Sequence, residues 1–362
     1  MLKRMLKDLN LPGNGPMIVT GGAGFIGSCF LLKYVPANPN RQIINVDSLG
    51  FAGMKENLRE IEGAPNYSFR QIDIRESDAV FELFSSVKPD VVVNFAAETH
   101  VDRSIVDPGA FVSTNVNGTF NLLEAARRTW TNFRGRRFHH VSTDEVFGSL
   151  AESGAFTETT PYDPSSPYSA SKAASDHLVR AYHRTYGMPV SISNCSNNYG
   201  PRQFPEKLIP LFTTNAVHRK PLPIYGKGIN VRDWLFVEDH CDAIWNIIHS
   251  PWVGETFNVG GNSERSNLQV VDAILDAVAS VTGDDRSELE KLKTFVQDRP
   301  GHDLRYAIDA TKIRRTLGWQ PTVVFEDGIK QTVEWYLENP DWSARARDLR
   351  DRQVRELEKL SL

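Results

Sequence analysis

The fold is decided near the N-terminus by Thr20-Gly21-Gly22-Ala23-Gly24-Phe25-Ile26-Gly27, which directly follows the apolar run Met17-Ile18-Val19. The run predicts a buried β-strand, and the residues after the glycines predict a helix. Gly21 suits a tight turn, Gly24 lets the backbone approach a ligand, and Gly27 allows the helix to pack on the strand. Free N–H groups and the helix dipole attract a pyrophosphate at such a turn. The stretch therefore predicts a dinucleotide-binding turn.

Short apolar strands alternate with helical patterns along the first half of the chain. Beyond the first strand, the patterns predict strands over 42–46, 68–72, 90–95, 137–141 and 189–193, and helices over 77–86, 109–128 and 169–186. Near-continuous apolar strands separated by helices indicate a parallel sheet that is covered on both faces. With right-handed crossovers, the fold class is α/β, a doubly wound parallel sheet (Rossmann) with a smaller C-terminal α+β substrate domain.

The composition of the sequence changes past Asn194, where five prolines between 201 and 223 indicate a loop-rich stretch. We expect a dinucleotide-binding domain over residues 16–194 with part of 230–255, because Val237–Ile248 suits packing on that domain. The substrate domain is expected to occupy the remainder of 195–338 and to include a helix over Asn267–Thr282. Residues 339–362 form a charged tail with a predicted helix over Ala344–Leu360, which is either solvated or a subunit contact.

Composition excludes several classes of function. The chain has 362 residues, with 41 Lys and Arg against 45 Asp and Glu, so its formal net charge is −4. This small charge provides no broad basic surface, which argues against nucleic acid as a partner. Cys29, Cys195 and Cys241 have no disulfide or metal-ligand spacing, so we expect reduced thiols and no metal. No apolar run is long enough to span a membrane, and Met1–Gly15 lacks the pattern of a signal peptide, so cytoplasm is the expected location.

A carboxylate is placed where a dinucleotide needs one. Asp47 ends the second predicted strand 20 residues after Gly27 and suits both ribose hydroxyls of an adenosine. The same charge repels a 2′-phosphate, so the predicted cofactor is NAD rather than NADP. Asp73-Ile74 closes the third strand, where the adenine amine is read. Asn94-Phe95-Ala96-Ala97 closes the fourth with small residues beside the cofactor.

A tyrosine and a lysine form the predicted reactive pair. Tyr168-Ser169-Ala170-Ser171-Lys172 is a YxxxK at the start of a predicted helix, so both side chains share one face. Lys172 is expected to hold the nicotinamide ribose and to lower the pKa of Tyr168, making the phenol a base near neutral pH. Ser142-Thr143, at the end of the preceding strand, completes the pattern.

Taken together, these motifs are identified as those of the extended short-chain dehydrogenase/reductase family. Several stretches resemble the dTDP-glucose 4,6-dehydratases within it, and the likeness runs from about Met17 to Leu337. The stretches that carry it begin at Ala97, His140, Asn194, Phe204, Arg232 and Asp298: Ala97-Glu98-Thr99-His100-Val101-Asp102-Arg103-Ser104, His140-Val141-Ser142-Thr143-Asp144-Glu145-Val146, Asn194-Cys195-Ser196-Asn197-Asn198-Tyr199-Gly200-Pro201, Phe204-Pro205-Glu206-Lys207-Leu208, Arg232-Asp233-Trp234-Leu235 and Asp298-Arg299-Pro300-Gly301-His302-Asp303.

The resemblance implies a redox-neutral dehydration of dTDP-glucose with NAD retained. Tyr168 would take the C4 hydroxyl proton, and the 4-ketone would acidify C5. Glu145 would remove the C5 proton, and a protonated Asp144 would give its proton to the departing C6 hydroxyl. Thr143 would hydrogen-bond the C4 oxygen, and Lys172 completes the expected catalytic set.

The resemblance also implies the residues that line both ligand sites. The expected cofactor contacts are Gly21, Gly24, Phe25, Ile26, Gly27, Asp47, Asp73, Ile74, Phe95, Ala96, Ala97, Thr99, Thr114, Tyr168, Lys172 and Asn198. The expected substrate contacts are Thr99, Thr143, Asn197, Glu206, Lys207, Leu208, Pro223, Tyr225, Arg232, Asn267, Arg299, His302 and Tyr306. Arg232 and Arg299 suit bidentate binding of a diphosphate, and Lys207 supplies a point charge.

Departures from the family pattern leave alternatives open. Phe147 stands where tyrosine is usual, Asn94-Phe95 replaces His-Leu, and the segment Gly148–Phe156 is short. A 4,6-dehydratase of UDP- or CDP-glucose and a nucleotide-sugar 4-epimerase remain as alternatives. An NAD-binding scaffold or sensor is disfavoured because Tyr168 and Lys172 are retained. A homodimer paired through the helices Gly109–Arg128 and Ser169–Tyr186 is also expected.

Overall fold

The computed structural model describes residues 11–298 and 303–360, and its central feature is a seven-stranded sheet. The strands of this sheet are β1 (Met17–Thr20), β2 (Ile43–Asp47), β3 (Tyr67–Gln71), β4 (Val91–Asn94), β5 (Arg137–Thr143), β6 (Val190–Cys195) and β10 (Glu255–Val259). Their order is β10-β6-β5-β4-β1-β2-β3, and every neighbouring pair is parallel. The predicted doubly wound fold is therefore confirmed.

Helices connect the strands and cover the sheet. They are α1 (Phe25–Ala37), α2 (Ser77–Val87), α3 (Val101–Val106), α4 (Pro108–Phe111), α5 (Thr119–Thr129), α6 (Pro167–Tyr186), α7 (Leu208–Val217), α8 (Val237–Ile248), α9 (Asn267–Thr282), α10 (Arg286–Glu290), α11 (Thr311–Leu317), α12 (Phe325–Glu338) and α13 (Pro340–Leu360). Lys55–Ile61 and Asp144–Phe147 form 3-10 turns. No helix among the described residues has the length and apolar character needed to cross a bilayer.

Both faces of the sheet are buried because alternate residues of a strand point to opposite sides. Ile18 of β1 packs in a core with residues of α2, α5 and α6. Its neighbours Met17 and Val19 pack in a second core with residues of α1 and α8. The strands can therefore be apolar throughout, and their carboxyl ends are held side by side at one edge.

The predicted helix over 109–128 contains a π-helical segment, Val112–Gly118, between α4 and α5. The wider turn accommodates Asn115, whose buried side chain hydrogen-bonds two neighbouring parts of the structure. Its Nδ2 donates to Glu98 O at 3.0 Å and to Ser171 Oγ at 2.8 Å. Its backbone carbonyl accepts from Ser175 Oγ at 2.7 Å. The irregular segment thus joins this helix to α6 and to the loop after β4.

Residues after β6 also form small sheets and a core outside the large sheet. β7 (Asn197–Tyr199), β9 (Val231–Phe236) and β11 (Glu264–Ser266) form one sheet, and β8 (Leu222–Tyr225) pairs with β12 (Lys293–Val296). A core formed by α7, α9 and α12 packs against them. The sequence patterns miss β10, which returns to the large sheet beside β6. Polar residues interrupt its apolar pattern, and one of them, Asn258, is buried because its Nδ2 donates to Phe156 O at 2.9 Å.

The tail helix α13 starts at Pro340, four residues before the predicted start at Ala344. Proline suits a first helical position, where its missing N–H leaves no hydrogen bond unmade. The beginning of the helix is not solvated. Ala346 is fully buried, and Trp342 and Leu349 pack with it against Met54 and Phe204.

Candidate active site

One cavity of about 370 Å³ opens at the carboxyl ends of β1, β2, β4, β5 and β6. A doubly wound sheet places its ligand site at this edge, because the strand order reverses there. All the residues expected to contact the cofactor and all five expected catalytic residues line this cavity. The sequence motifs, far apart in the chain, are therefore brought together at one place.

The glycine turn leaves room where a dinucleotide needs it. Gly21 has φ +69°, and a Cβ there would lie 2.6 Å from Ala96 N. A Cβ at Gly27 would collide with the carbonyl oxygen of Gly21, whereas one at Gly24 would meet only that oxygen, at 3.3 Å. Only glycine fits at Gly21 and Gly27, and the backbone at Gly24 faces the cavity at the start of α1. This cradle fits a pyrophosphate.

Two carboxylates border the adenosine end of the cavity. Asp47 is buried, which raises its pKa, while backbone N–H groups of Leu49 (2.8 Å) and Ala23 (2.9 Å) lower it. Asp73 lies two residues beyond the end of β3, not at its last position. Arg75 binds it bidentately, with Nε 2.9 Å and Nη2 2.6 Å from Asp73 Oδ2, and holds its pKa below the usual range. Both positions fit the predicted cofactor.

Tyr168 and Lys172 line the cavity from the first turns of α6. Ser166 caps this helix through a reciprocal pair with Ser169, which fixes where Tyr168 projects. Lys172 is buried, its Nζ donates to Val141 O at 2.8 Å, and burial lowers its pKa to about 8. The predicted lowering of the Tyr168 pKa is wrong for this arrangement: burial and then the charge of Glu145 raise it well above its ordinary value.

Asp144 and Glu145 follow β5 on a single 3-10 turn, with Thr143 as its N-cap. Asp144 is 2 % exposed, and its Oδ2 has no hydrogen-bond partner. Burial, followed by the charge of Glu145, raises the Asp144 pKa well above its usual range. The raised pKa favours the protonated form of Asp144 beside Glu145, which is the acid and base arrangement expected for these two side chains.

A buried polar network lies directly behind Lys172. Asp176 is fully buried, and its Oδ2 accepts from Ser142 Oγ at 2.9 Å and Tyr162 OH at 2.7 Å. His140 Nε2 lies 3.5 Å from Asp176 Oδ1 and 3.4 Å from Lys172 Nζ. Burial and then the charge of Lys172 lower the pKa of His140, so the ring is neutral. This group could not be predicted from the sequence, because no spacing along the chain links β5 to the middle of α6.

The expected substrate residues are divided between the cavity and its surroundings. Those in the cavity wall are Thr99, Thr143, Asn197, Glu206 and Lys207. Those outside it are Leu208, which starts α7, Pro223 and Tyr225 on β8, Asn267 at the start of α9, and Arg232 and Tyr306. Arg299 and His302 lie outside the described residues. The guanidinium of Arg232 stacks 4.2 Å from the centroid of the Tyr306 ring. Its positive charge lowers the pKa of Asp144, against the larger effect of burial.

The loop over 48–53 lines the cavity, although the sequence analysis did not single it out. Phe51 packs under the guanidinium of Arg103, 4.0 Å from the ring centroid, and 5.7 Å from the ring of Phe204. The sequence signal for this loop was the pair Gly50 and Gly53, which follow Asp47 by three and six residues. Phe147, noted as a departure, stacks on Phe156 at 5.2 Å in an apolar cluster, so this change affects packing.

Comparisons place this site among known proteins. The family model described as GDP-mannose 4,6 dehydratase matches residues 18–332. The dTDP-glucose 4,6-dehydratase of Neisseria meningitidis serogroup B is 53 % identical over 335 residues, covering 90 % of this chain and 94 % of that protein. The dTDP-glucose 4,6-dehydratase 1 of Escherichia coli K12 is 51 % identical over 340 residues, with the same two coverages, 90 % and 94 %.

Solved structures agree with the sequence relatives. DesIV, a dTDP-glucose 4,6-dehydratase from Streptomyces venezuelae solved with NAD bound, superposes with a TM-score of 0.83 at 45 % identity, covering 90 % of this chain and 98 % of that one. A UDP-glucose 4-epimerase from Thermotoga maritima superposes with a TM-score of 0.79 at 28 % identity, covering 89 % and 99 %. The dehydratase is therefore closer in sequence than the epimerase.

Proposed function

This chain belongs to the dTDP-glucose 4,6-dehydratase family, and from that premise we propose which of its residues perform the reaction. The reaction is the NAD-dependent conversion of dTDP-glucose to dTDP-4-keto-6-deoxyglucose, with loss of water. The glycine turn and Asp47 would hold NAD, which when bound would supply a reversible hydride acceptor for C4 and C6 and a positive charge that favours the ionised form of a nearby phenol. The remaining work of the site is proton transfer and positioning by the protein.

We assign the first proton transfer to Tyr168. Its phenol accepts the proton of the C4 hydroxyl, and Thr143, whose hydrogen bond lowers the Tyr168 pKa, holds the two oxygens in place. Because burial makes the free phenol a weak acid, the positive charge of Lys172 is needed nearby. The resulting 4-ketone acidifies the hydrogen on C5.

Asp144 and Glu145 perform the elimination. Glu145 removes the C5 proton, Asp144 donates its proton to the departing C6 hydroxyl, which leaves as water, and C5 is protonated again when the hydride reaches C6. The buried Oδ2 of Asp144, without a hydrogen-bond partner and with a raised pKa, is the single observation that supports this step most directly. A 4-epimerase has no use for such an acid beside a second carboxylate.

The assignment is tested with dTDP-glucose and purified protein, without added NAD. We expect a 4-keto-6-deoxy product, read by its alkaline absorbance and by the mass lost as one water. With Glu145→Gln, dehydration should fall by at least about a hundredfold, the usual contribution of a general base. Glu152→Gln, an exposed glutamate on the following loop, is the matched control. Equal dehydration by the two variants would overturn the role of Glu145. Parallel reactions with UDP- and CDP-glucose test the nucleotide preference.

We also propose that the protein is a homodimer paired through its helical stretch. Exposed apolar side chains follow one another there: Ile105 and Val106 on α3, Val112 on the π-helical segment and Phe120 on α5. These side chains are close together along the chain, and an exposed apolar patch on a folded protein is typical of an interaction site. Light scattering should give twice the chain mass, and Phe120→Asp should give monomer. Phe295→Asp, an exposed phenylalanine on β12, is the control and should remain dimeric. A monomeric parent protein would overturn the proposal.

The three free thiols fit the expected cytoplasmic location.

A further inference from the structure

The tail helix α13 packs on two segments that line the cavity. Trp342, Ala346 and Leu349 share an apolar cluster with Met54 and Phe204. Phe51 and Ala52, which pack against the same cluster, belong to the loop after Asp47, and Phe204 precedes Glu206 and Lys207. The helix lies beyond residues 18–332, which the family model covers. The reaction assigned above gives it no role.

On the cofactor side, a hydrogen-bond chain connects the tail helix to the glycine turn. Trp342 Nε1 donates to Asn57 Oδ1 at 2.7 Å, and Asn57 Nδ2 donates to Ala23 O at 2.9 Å. Met54 N donates to the same carbonyl at 3.0 Å. Asn57 is only 2 % exposed, so the indole N–H satisfies an oxygen that has little access to water. Trp342 therefore acts on the pyrophosphate cradle through one intervening side chain.

On the substrate side, the helix holds the segment that carries the expected nucleotide contacts. Arg350 Nη1 donates to Pro205 O at 3.2 Å, next to Glu206. Tyr336, from the preceding helix α12, hydrogen-bonds Gln203 O, and its ring contacts Trp342. The loop at the cofactor end and the loop at the substrate end are therefore tied to the same helix.

We propose that α13 is a strap that slows the release of NAD, and that Trp342 is its positioning residue. The inference rests on the proposed function, because a redox-neutral reaction returns the cofactor to its starting state and has no need to exchange it. The glycine turn and the loop over 48–53 both line the cavity, so movement of this loop would open the site to a departing NAD. Fixing that loop to α13 opposes this movement while the nucleotide sugar still exchanges.

The test uses the full chain with Trp342→Phe and Trp342→Ala. Phenylalanine keeps an apolar ring but removes the N–H to Asn57, whereas alanine removes both. Trp319→Phe is the matched control, because Trp319 likewise packs in an apolar cluster and its Nε1 donates to Asp239 O at 3.1 Å, away from the cavity. NAD release is followed as displacement by excess fluorescent etheno-NAD, without sugar substrate. The NAD retained after gel filtration is quantified by chromatography.

We expect Trp342→Phe to release NAD about five- to tenfold faster than the parent, which corresponds to one lost buried hydrogen bond. Trp342→Ala should release it faster still, and added NAD should restore the activity of both variants with an unchanged KM for dTDP-glucose. Trp319→Phe should match the parent. Release rates within twofold of the parent for both Trp342 variants would overturn the strap. Failure of the parent to dehydrate dTDP-glucose would instead overturn the proposed function, because the release assay contains no sugar.

Discussion

Replacing Asp176 by asparagine should move the alkaline limb of the activity profile to lower pH. Asp176 lies on the same helix as Lys172 and faces it across the ring of His140. Its negative charge raises the pKa of Lys172, which burial otherwise lowers to about 8. Lys172 acts as a cation, so activity is lost as pH rises through its pKa. If the pKa of Lys172 falls, the lysine loses its charge at a lower pH, and activity therefore declines earlier as the pH is raised.

The size of the change follows from the geometry. His140 Nε2 is 3.4 Å from Lys172 Nζ and 3.5 Å from Asp176 Oδ1, so the two charges are no more than about 7 Å apart. At an effective dielectric constant of ~20, their attraction is about 2 kcal/mol, which corresponds to a displacement of about 1.5 pH units. Cys195 also acts on the Lys172 pKa, and it is unchanged in the variant.

The assay is kcat and kcat/KM for dTDP-glucose dehydration between pH 6 and 10, with saturating NAD. Asp239→Asn is the control, because Asp239 is 3 % exposed and its carboxylate accepts from Thr322 N, Thr322 Oγ1 and Val323 N, away from Lys172. Both variants should unfold at lower temperature, but only Asp176→Asn should displace the alkaline limb. Equal loss of activity at every pH would refute the electrostatic role and leave Asp176 a purely structural residue.

Three further outcomes are expected. Gly27→Ala should weaken NAD binding at least about tenfold, because its Cβ would also lie 2.8 Å from Gly22 Cα; unchanged binding in a calorimeter would contradict this. Asp144→Asn should lower kcat about 10²- to 10⁴-fold with little effect on KM, and steady-state kinetics within tenfold of the parent would exclude it as the acid. Arg137→Met should lower the free energy of unfolding by about 3 kcal/mol in urea titrations, because Trp252 O and Ser250 O, each 2.8 Å from the guanidinium, lose their donor. Stability equal to that of the parent would contradict the last expectation.

Local spacing predicted the parts of the site that lie within one turn or one helix. The glycine turn, Asp47, Tyr168 and Lys172 each show a pattern over a few residues, so they could be found without a structure. The tail helix was found in the sequence, but the burial of Ala346 was not, because it depends on Met54 and Phe204 from distant parts of the chain.

Two features of the site could not have been predicted from spacing. The raised pKa of Tyr168 depends on how deeply the phenol is buried and on the direction of Glu145, and both are properties of the folded chain. The network of Asp176 and His140 joins β5 to α6, which are neighbours only after the crossover is made. The strand β10 was missed because it contains polar residues, of which the buried Asn258 finds its partner in the loop around Phe156.

The π-helical segment Val112–Gly118 has a consequence for how this chain tolerates insertions and deletions. A π-turn holds one residue more than an α-helical turn, so removing a single residue there would let the helix relax to regular geometry. A regular turn would then replace the wide one, so the helices on either side would keep their relative orientation, while residues within the segment would change the direction in which their side chains point. Thr114 would leave the cavity wall and Asn115 would lose Ser171. The length of this helix is therefore as much a part of the site as the identity of its side chains.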